Sequence, residues 1–265
     1  MTQKPVAIIT GVTRLKGIGR AICVELARQG IDVFFTFWRP YDQKMMWGVE
    51  EDEPDQIQEE ILGLGVGCKK LEIDLMDEGS IATVFEKVNE HFGSASILIN
   101  NATYSTMTDL DTITPVELDK HYFVNLRAPV LLTTAFVKQF ENKQPGRVIN
   151  LTSGQSLSAM SGEIAYALTK GAMETFTRTM QHQLAASNIT INAVNPGLTD
   201  SGWLDSGWMD QRQIDVFRDR FPRGRFGLPA DAARLVGFLV KEEAGWITGQ
   251  VIHSEGGFIR EKYDG

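Results

Sequence analysis

Tyr166 and Lys170 stand four residues apart in a stretch with helical patterning. Side chains at that spacing share one helix face. A free phenol, with a pKa of about 10, is a poor acid or base near neutrality, but an ammonium group beside it favours the phenolate and lowers that value. Upstream lies Ser153, just past an apolar run, with a hydroxyl that could donate to a carbonyl oxygen. Near the start of the chain, Thr10-Gly11-Val12-Thr13-Arg14-Leu15-Lys16-Gly17-Ile18-Gly19 forms a glycine-rich turn between a strand pattern and a helix pattern. Glycines there let the backbone approach a pyrophosphate, and the helix start offers free N–H groups and a positive dipole end. A Tyr–Lys pair alone occurs on many solvated helices. Joined to Ser153 and a dinucleotide turn, it describes a site for moving a hydride and a proton.

These groups need a scaffold that brings distant segments together. Short β-branched runs at 6–10, 33–37, 69–73, 97–100, 148–152, 190–194 and 250–253 alternate with helical patterns near 19–29, 55–62, 77–91, 115–140, 163–186 and 230–241. Most of the strand runs are apolar without alternation, which suits strands buried on both faces of a parallel sheet. Thr114, Pro115 and Glu117 sign one helix start as a capping box with proline at the first position. Repeated βα units predict an α/β fold, a single-domain, Rossmann-type, doubly wound parallel sheet of about seven strands over residues 1–265, with helices on both faces. Two stretches break the rhythm. The segment 38–54 is a long loop, read equally as a surface or subunit contact and as a functional cover. The segment at about 198–228, rich in glycine and large apolar residues, reads as a substrate lid.

The chain has 265 residues, 43% of them hydrophobic, and a formal net charge of −8. That acidity disfavours nucleic acid and anionic membranes as partners. No apolar run approaches the length of a membrane span or signal segment, so a cytoplasmic protein is expected. The two cysteines, Cys23 and Cys68, fit no disulfide or zinc spacing and read as buried thiols, and the scattered histidines suggest no metal.

Cofactor choice can be argued from charge. An NAD site places an acid near the end of the second strand, where this chain reads Phe35-Thr36-Phe37-Trp38-Arg39. Lys16 and Arg39, with Arg14 as a further contributor, could face a 2′-phosphate, so NADPH/NADP is expected over NAD.

At this point the residues resemble a family, the short-chain dehydrogenase/reductases, and more closely their 3-oxoacyl-acyl-carrier-protein reductase members. The likeness runs nearly end to end. Gly11, Gly17, Ile18 and Gly19, with Thr13 in the turn, resemble the family's TGxxxGIG motif. By that resemblance Asp74 and Leu75 meet the adenine, and Asn101 and Ala102 match the NNAG strand end. Pro196, Gly197, Thr199 and Ser201 border the nicotinamide. Asn125, Ser153, Tyr166 and Lys170 match the catalytic set. The resemblance implies Tyr166 as general acid, Lys170 also on the nicotinamide ribose, Ser153 on the carbonyl oxygen, and Asn125 holding a water that links Lys170 to solvent. There are departures. Five residues separate Gly11 from Gly17 where the family has three, Thr103 replaces the last glycine of NNAG, and the 38–54 segment is unusually long.

Gln155, Met160, Trp203 and Trp208 are the expected substrate contacts, in an apolar, aromatic pocket suited to a hydrophobic ketone. The resemblance implies a 3-oxoacyl thioester, free or on a carrier protein. Arg212, Arg218, Arg220, Arg223 and Arg225 either dock that carrier or balance nearby aspartates. The alternatives are a carbonyl reductase or alcohol dehydrogenase acting on another hydrophobic, sugar or polyketide-like ketone, and a non-catalytic NADP(H)-binding sensor. The resemblance also implies a homotetramer.

Overall fold

The computed structural model describes residues 4–158, 160–202, 204, 207 and 210–260. Seven strands form one parallel sheet in the order β3-β2-β1-β4-β5-β6-β7. They are β1 (Val6–Ile9), β2 (Asp32–Phe37), β3 (Cys68–Glu72), β4 (Ile97–Asn100), β5 (Gly146–Leu151), β6 (Ile189–Asn195) and β7 (Val251–His253). Strands β1, β4, β5 and β6 are buried throughout, with Asn100, Arg147, Asn150 and Asn192 enclosed among mostly apolar side chains, as suits a sheet covered on both faces. The register pairs Ile8 with Phe34 on one side and Leu98 on the other, so the centre of the sheet is packed with large side chains.

One face carries α1 (Ile18–Arg28), α3 (Glu53–Gly63) and α9 (Pro229–Leu239). Ile22, Leu26, Ile57, Ile61 and Val236 pack there against β1 and β2, together with both cysteines, which are free and buried. The other face carries α4 (Ser80–Phe92), α6 (Ala128–Gln139) and α7 (Ile164–Ala185), whose Val84, Val88, Leu132, Phe136 and Leu184 enclose Ile8, Phe34 and Leu98. With order reversing between β1 and β4, the crevice at the carboxyl ends of the strands lies where such folds bind ligands.

Three elements refine the expectation. The helix expected at 115–140 is α5 (Pro115–Tyr122), a π-turn (Phe123–Arg127), then α6. Pro129 supplies the reason, since it lacks the amide that an α-helix would aim at the Asn125 carbonyl. The Thr114 hydroxyl accepts from the Glu117 amide at 3.2 Å, as the capping signal implied. The 38–54 segment holds a short α2 (Arg39–Asp42) before α3, and the 198–228 stretch contains α8 (Gln211–Arg218), capped by Asp210 and Gln213. No helix among the described residues is long and apolar enough to cross a membrane.

Candidate functional site

At the carboxyl end of β1 the chain turns at Gly11 with φ +73, and a Cβ there would lie 2.5 Å from Ala102 Cα. Only glycine permits that backbone and that approach. The Asn101 amide nitrogen donates to Thr10 O at 2.8 Å and Gly11 O at 2.9 Å, and the Thr10 hydroxyl accepts from the amides of Asn101 and Ala102. A Cβ on Gly19 would strike Asn101 and the Gly11 carbonyl. Helix α1 starts after Gly17 with neither a side-chain cap nor an acid in its first turn. Its first amides are therefore available to an anion, and the cradle fits a pyrophosphate.

The two sequence departures meet each other. Arg14, from the lengthened turn, lies 3.2 Å from the Asp42 carboxylate and 4.8 Å from the centre of the Trp47 ring, both in the 38–54 segment. Trp47 donates to Asp42 at 2.9 Å, and the Leu15 amide donates to Glu53 at 3.1 Å. A Cβ on Gly202 would lie 2.8 Å from the Arg14 guanidinium, so the same side chain reaches the 198–228 stretch. The longer turn and the long segment thus form one unit.

The expected phosphate cations are placed differently from one another. Arg14 lines the cleft. Arg39 instead turns to Glu72, donating from Nε at 2.9 Å, with a second close contact through its other nitrogen. Neither Arg39 nor Lys16 is among the cleft-lining residues, whereas Lys44 is. The physical reason for Arg39 is the β2–β3 register, which sets Glu72 opposite Phe37 and so beside the start of α2. Thr13, Asp74, Leu75, Asn101, Ala102, Pro196, Gly197, Thr199 and Ser201 all line the same cleft, about 1010 Å³ in volume. Asp74 accepts from the Met76 amide at 2.8 Å, and burial raises its pKa. Gly197, with φ +68, passes close against Glu255, and the Thr199 hydroxyl closes onto Pro196 O.

Ser153 follows β5, Tyr166 lies in the first turns of α7, and both line the cleft. The Tyr166 hydroxyl lies close enough to the Thr103 and Ser153 hydroxyls for both to hold its pKa down against burial. Lys170 sits beneath, 3% exposed, with Nζ donating to Leu151 O at 2.9 Å and 5.6 Å from the centre of the Tyr166 ring. Burial pushes the Tyr166 phenol up to about 12, with Glu163 adding to the rise, and brings the Lys170 ammonium down to about 8. The sequence argument expected the ammonium to lower the phenol. In the free protein desolvation outweighs it, because Lys170 is buried and directed at a carbonyl. Asn125 sits in the π-turn with its side chain fully engaged. It accepts from the Tyr104 amide at 2.7 Å and Thr103 at 3.2 Å, and donates to Tyr104 O and Thr169.

At the outer end of the cleft stand Gln155, Met160, Leu198, Phe217, Phe258 and Arg220. Trp203 and Trp208 lie outside the described residues. Of the five arginines, Arg218 pairs with Asp215 and Arg225 with Asp231 at the surface, while Arg220 faces the cleft.

Several residues escaped the sequence argument. Thr103 was noted only as a departure, yet its hydroxyl donates to Asn125 at 3.2 Å and stands near enough to Tyr166 to lower its pKa. Glu163, 5% exposed, lines the cleft, and burial raises its pKa with Gln155 pulling the other way. Its spacing of three from Tyr166 on the same helix was the available signal. Tyr41 bonds Ser105 O at 3.2 Å and packs 5.3 Å from Tyr104, covering the middle of the cleft.

The family profile described as enoyl-(acyl carrier protein) reductase matches residues 11–259. An uncharacterized oxidoreductase, YjdA of Bacillus subtilis (strain 168), is 46% identical over 261 residues, covering 98% of each chain. The 3-oxoacyl-[acyl-carrier-protein] reductase FabG of Aquifex aeolicus (strain VF5) is 31% identical, over 97% of this chain and 98% of the relative. Among solved structures, the landomycin C-6 ketoreductase LanV with bound NADP and rabelomycin superposes with a TM-score of 0.81 at 28% identity, covering 96% of each chain.

Proposed function

The chain belongs to the short-chain dehydrogenase/reductases, oxidoreductases that use a nicotinamide cofactor, and from that premise we propose that it reduces a ketone to a secondary alcohol with NADPH. The observation that carries this reading is Tyr166, which has its ring centre 5.6 Å from the Lys170 ammonium and shares with Ser153 and Thr103 the wall of the cleft that begins at the glycine turn. The Gly11–Gly19 cradle and the uncapped start of α1 would hold the pyrophosphate, and Pro196, Gly197, Thr199 and Ser201 would border the nicotinamide. A bound nicotinamide supplies the hydride and, once oxidised, a positive charge near the phenol.

Ser153 donates to the carbonyl oxygen and holds it beside Tyr166. As the carbonyl π electrons move onto that oxygen, Tyr166 releases its proton to it, and the phenolate is stabilised by Lys170. Burial keeps the Tyr166 phenol protonated in the free protein, and the Lys170 ammonium together with an oxidised nicotinamide would draw its pKa down as the proton leaves. Asn125 ties the end of β4 to α7. Its backbone carbonyl, relieved of an α-helical partner by Pro129, is the atom that would hold a water leading to Lys170.

NADPH is favoured by Lys44, which lines the cleft beside the Arg14–Asp42 pair, and by the NADP-bound ketoreductase of similar fold. This sets Lys44, with Arg14 beside it, ahead of Lys16 and Arg39 as the groups expected near a 2′-phosphate. Two substrate classes remain, a 3-oxoacyl thioester like that of FabG and a cyclic, polyketide-like ketone. The test follows NADPH absorbance with an acetoacetyl thioester, an enoyl thioester and a panel of cyclic and acyclic ketones, each repeated with NADH. Oxidation of NADPH with ketones and not with the enoyl thioester is expected. No oxidation with any ketone overturns the reading.

A further inference from the structure

Among the described residues, the basic side chains lining the cleft are Arg14, Arg20, Lys44, Lys120, Arg220 and Arg260. Most of them hold a carboxylate. Arg14 pairs with Asp42, Arg20 with Glu60, Lys120 with Glu117 and Arg260 with Glu255. Lys44 stands on the β2 side, where a 2′-phosphate is expected. Arg220 stands at the opposite end, and among the described residues no carboxylate comes within ion-pair distance of it. Its Nε is enclosed without a hydrogen-bond partner, whereas its two terminal nitrogens are not enclosed. The guanidinium carbon lies 5.4 Å from the centre of the ring of Phe217, itself a cleft residue. The hydride and proton steps make no use of this cation.

The backbone ties Arg220 to the reaction centre. The Ile259 amide donates to Arg220 O at 3.0 Å, and Phe258 packs 4.9 Å from Phe221. The same C-terminal segment carries the Arg260–Glu255 pair, and a Cβ on Gly154 would strike both of those side chains. Gly154 follows Ser153, the residue that would hold the carbonyl oxygen. Glu255 also accepts from Asn195 at 2.8 Å, so its carboxylate is engaged away from Arg220. A substrate with its carbonyl at Ser153 and Tyr166, extending toward the lid, passes the apolar wall of Met160, Leu198, Phe217 and Phe258 and ends at Arg220. A half-buried cation without a counter-charge sets a positive potential at that end of the cleft. A guanidinium on an aromatic face is weakly hydrated, and its fork fits two oxygens of a carboxylate or phosphate.

Resting on the reductase reading above, we propose that Arg220 is a specificity-determining residue that binds an anionic oxygen group, carboxylate or phosphate, carried by the ketone substrate on the side away from its reacting carbonyl. The preferred substrate is then a ketone with an apolar frame and an acidic end, rather than a neutral ketone. An acid placed directly beside the carbonyl would not serve, because the apolar wall separates that position from Arg220.

The test measures kcat/KM with NADPH for matched charged and neutral ketones in the wild type, Arg220→Gln and Arg220→Lys. The carboxylate pair is para-acetylbenzoate and its methyl ester. The phosphate pair is acetoacetyl-phosphopantetheine and acetoacetyl-pantetheine. In the wild type the charged member of at least one pair should exceed its neutral partner by about tenfold or more, the scale of a hydrogen bond to a charged group, and which pair responds tells carboxylate from phosphate. In Arg220→Gln that ratio should fall toward one. In Arg220→Lys, which keeps the charge and loses the fork, it should lie between the two. NADPH binding by fluorescence titration reports whether each variant is folded, and should be the same in all three proteins. A wild type that turns over neutral ketones as well as charged ones, or a preference that survives in Arg220→Gln, overturns the anion subsite and leaves the reductase reading standing. Weaker NADPH binding in Arg220→Gln with an unchanged ketone ratio assigns Arg220 to the cofactor and also overturns the subsite. A protein that oxidises NADPH with none of these ketones nor with any other overturns the reductase reading, and the anion subsite with it.

Discussion

Tyr166 and Lys170 illustrate how burial changes the meaning of a motif. Side by side on a wet helix, an ammonium would draw a phenol's pKa down. Here both are enclosed, and the phenol rises to about 12 while the ammonium falls to about 8. Removing the proton donor should therefore be decisive. Tyr166→Phe is expected to lose about 10²-fold or more in kcat, the usual scale of general acid catalysis, with NADPH still bound by fluorescence titration. Near-normal turnover would remove Tyr166 from the mechanism. Glu163 adds a second, testable effect. After burial, its charge is the next cause raising the Tyr166 pKa. Replacing the carboxylate by an amide lets the phenol ionise at lower pH. The ultraviolet phenolate signal of Tyr166, taken as the difference between Glu163→Gln and Glu163→Gln/Tyr166→Phe, should appear at lower pH than the same difference in the wild-type background, and a signal that does not move down would show that the two groups do not interact.

The lengthened turn and the 38–54 segment are energetically one element. Arg14, Asp42 and Trp47 join them, and Leu15 adds a bond to Glu53 at the start of α3. Asp42 is buried, and burial raises its pKa against the pull of Trp47, Arg14 and Thr13. Breaking such a buried pair from one side leaves an uncompensated charge, at a cost of about 3–5 kcal/mol. Arg14→Ala should thus do two things at once. It should raise the KM for NADPH, and it should speed amide hydrogen exchange across 39–48 without a matching change in the central strands. Exchange that rises everywhere, or KM that does not move, would separate the segment from the cofactor end. The π-turn is a second device at this scale. By inserting one residue before Pro129 it lets Asn125 face β4 and α7 together, so the candidate site is stitched across three elements.

At the scale of the molecule, the cleft runs from Arg14 to Phe258 across the carboxyl ends of the strands, so a ligand filling it would bridge both halves of the sheet. Ligand binding to the folded state alone raises stability by about 2.7 kcal/mol at a hundredfold excess over Kd. NADPH should accordingly raise Tm by about 5 °C or more, and NADH at equal concentration by less. Equal shifts would overturn the NADPH preference. Val116, Leu118, Leu131 and Leu168 on α5, α6 and α7 are exposed in the single chain, which fits the proposal that these helices form subunit contacts in a homotetramer. Light scattering that returns a monomer mass would refute it.

The amino-acid sequence by itself determined the sheet, because strands buried on both faces read as short, mostly apolar runs without alternation and the helices between them do not. It also determined the glycine turn and the Ser153–Tyr166–Lys170 spacing, since φ-angle tolerance and helical periodicity are local properties. The tertiary structure alone decided that Arg39 is taken by Glu72, that Arg14 bridges two loops, and that Thr103, Gln155 and Glu163 line one cleft with Tyr166. It also decided the sign of the Tyr166 shift. Pairing partners and desolvation depend on which distant segments the fold brings together and on how much water it removes around them, and neither quantity is carried by spacing along the chain.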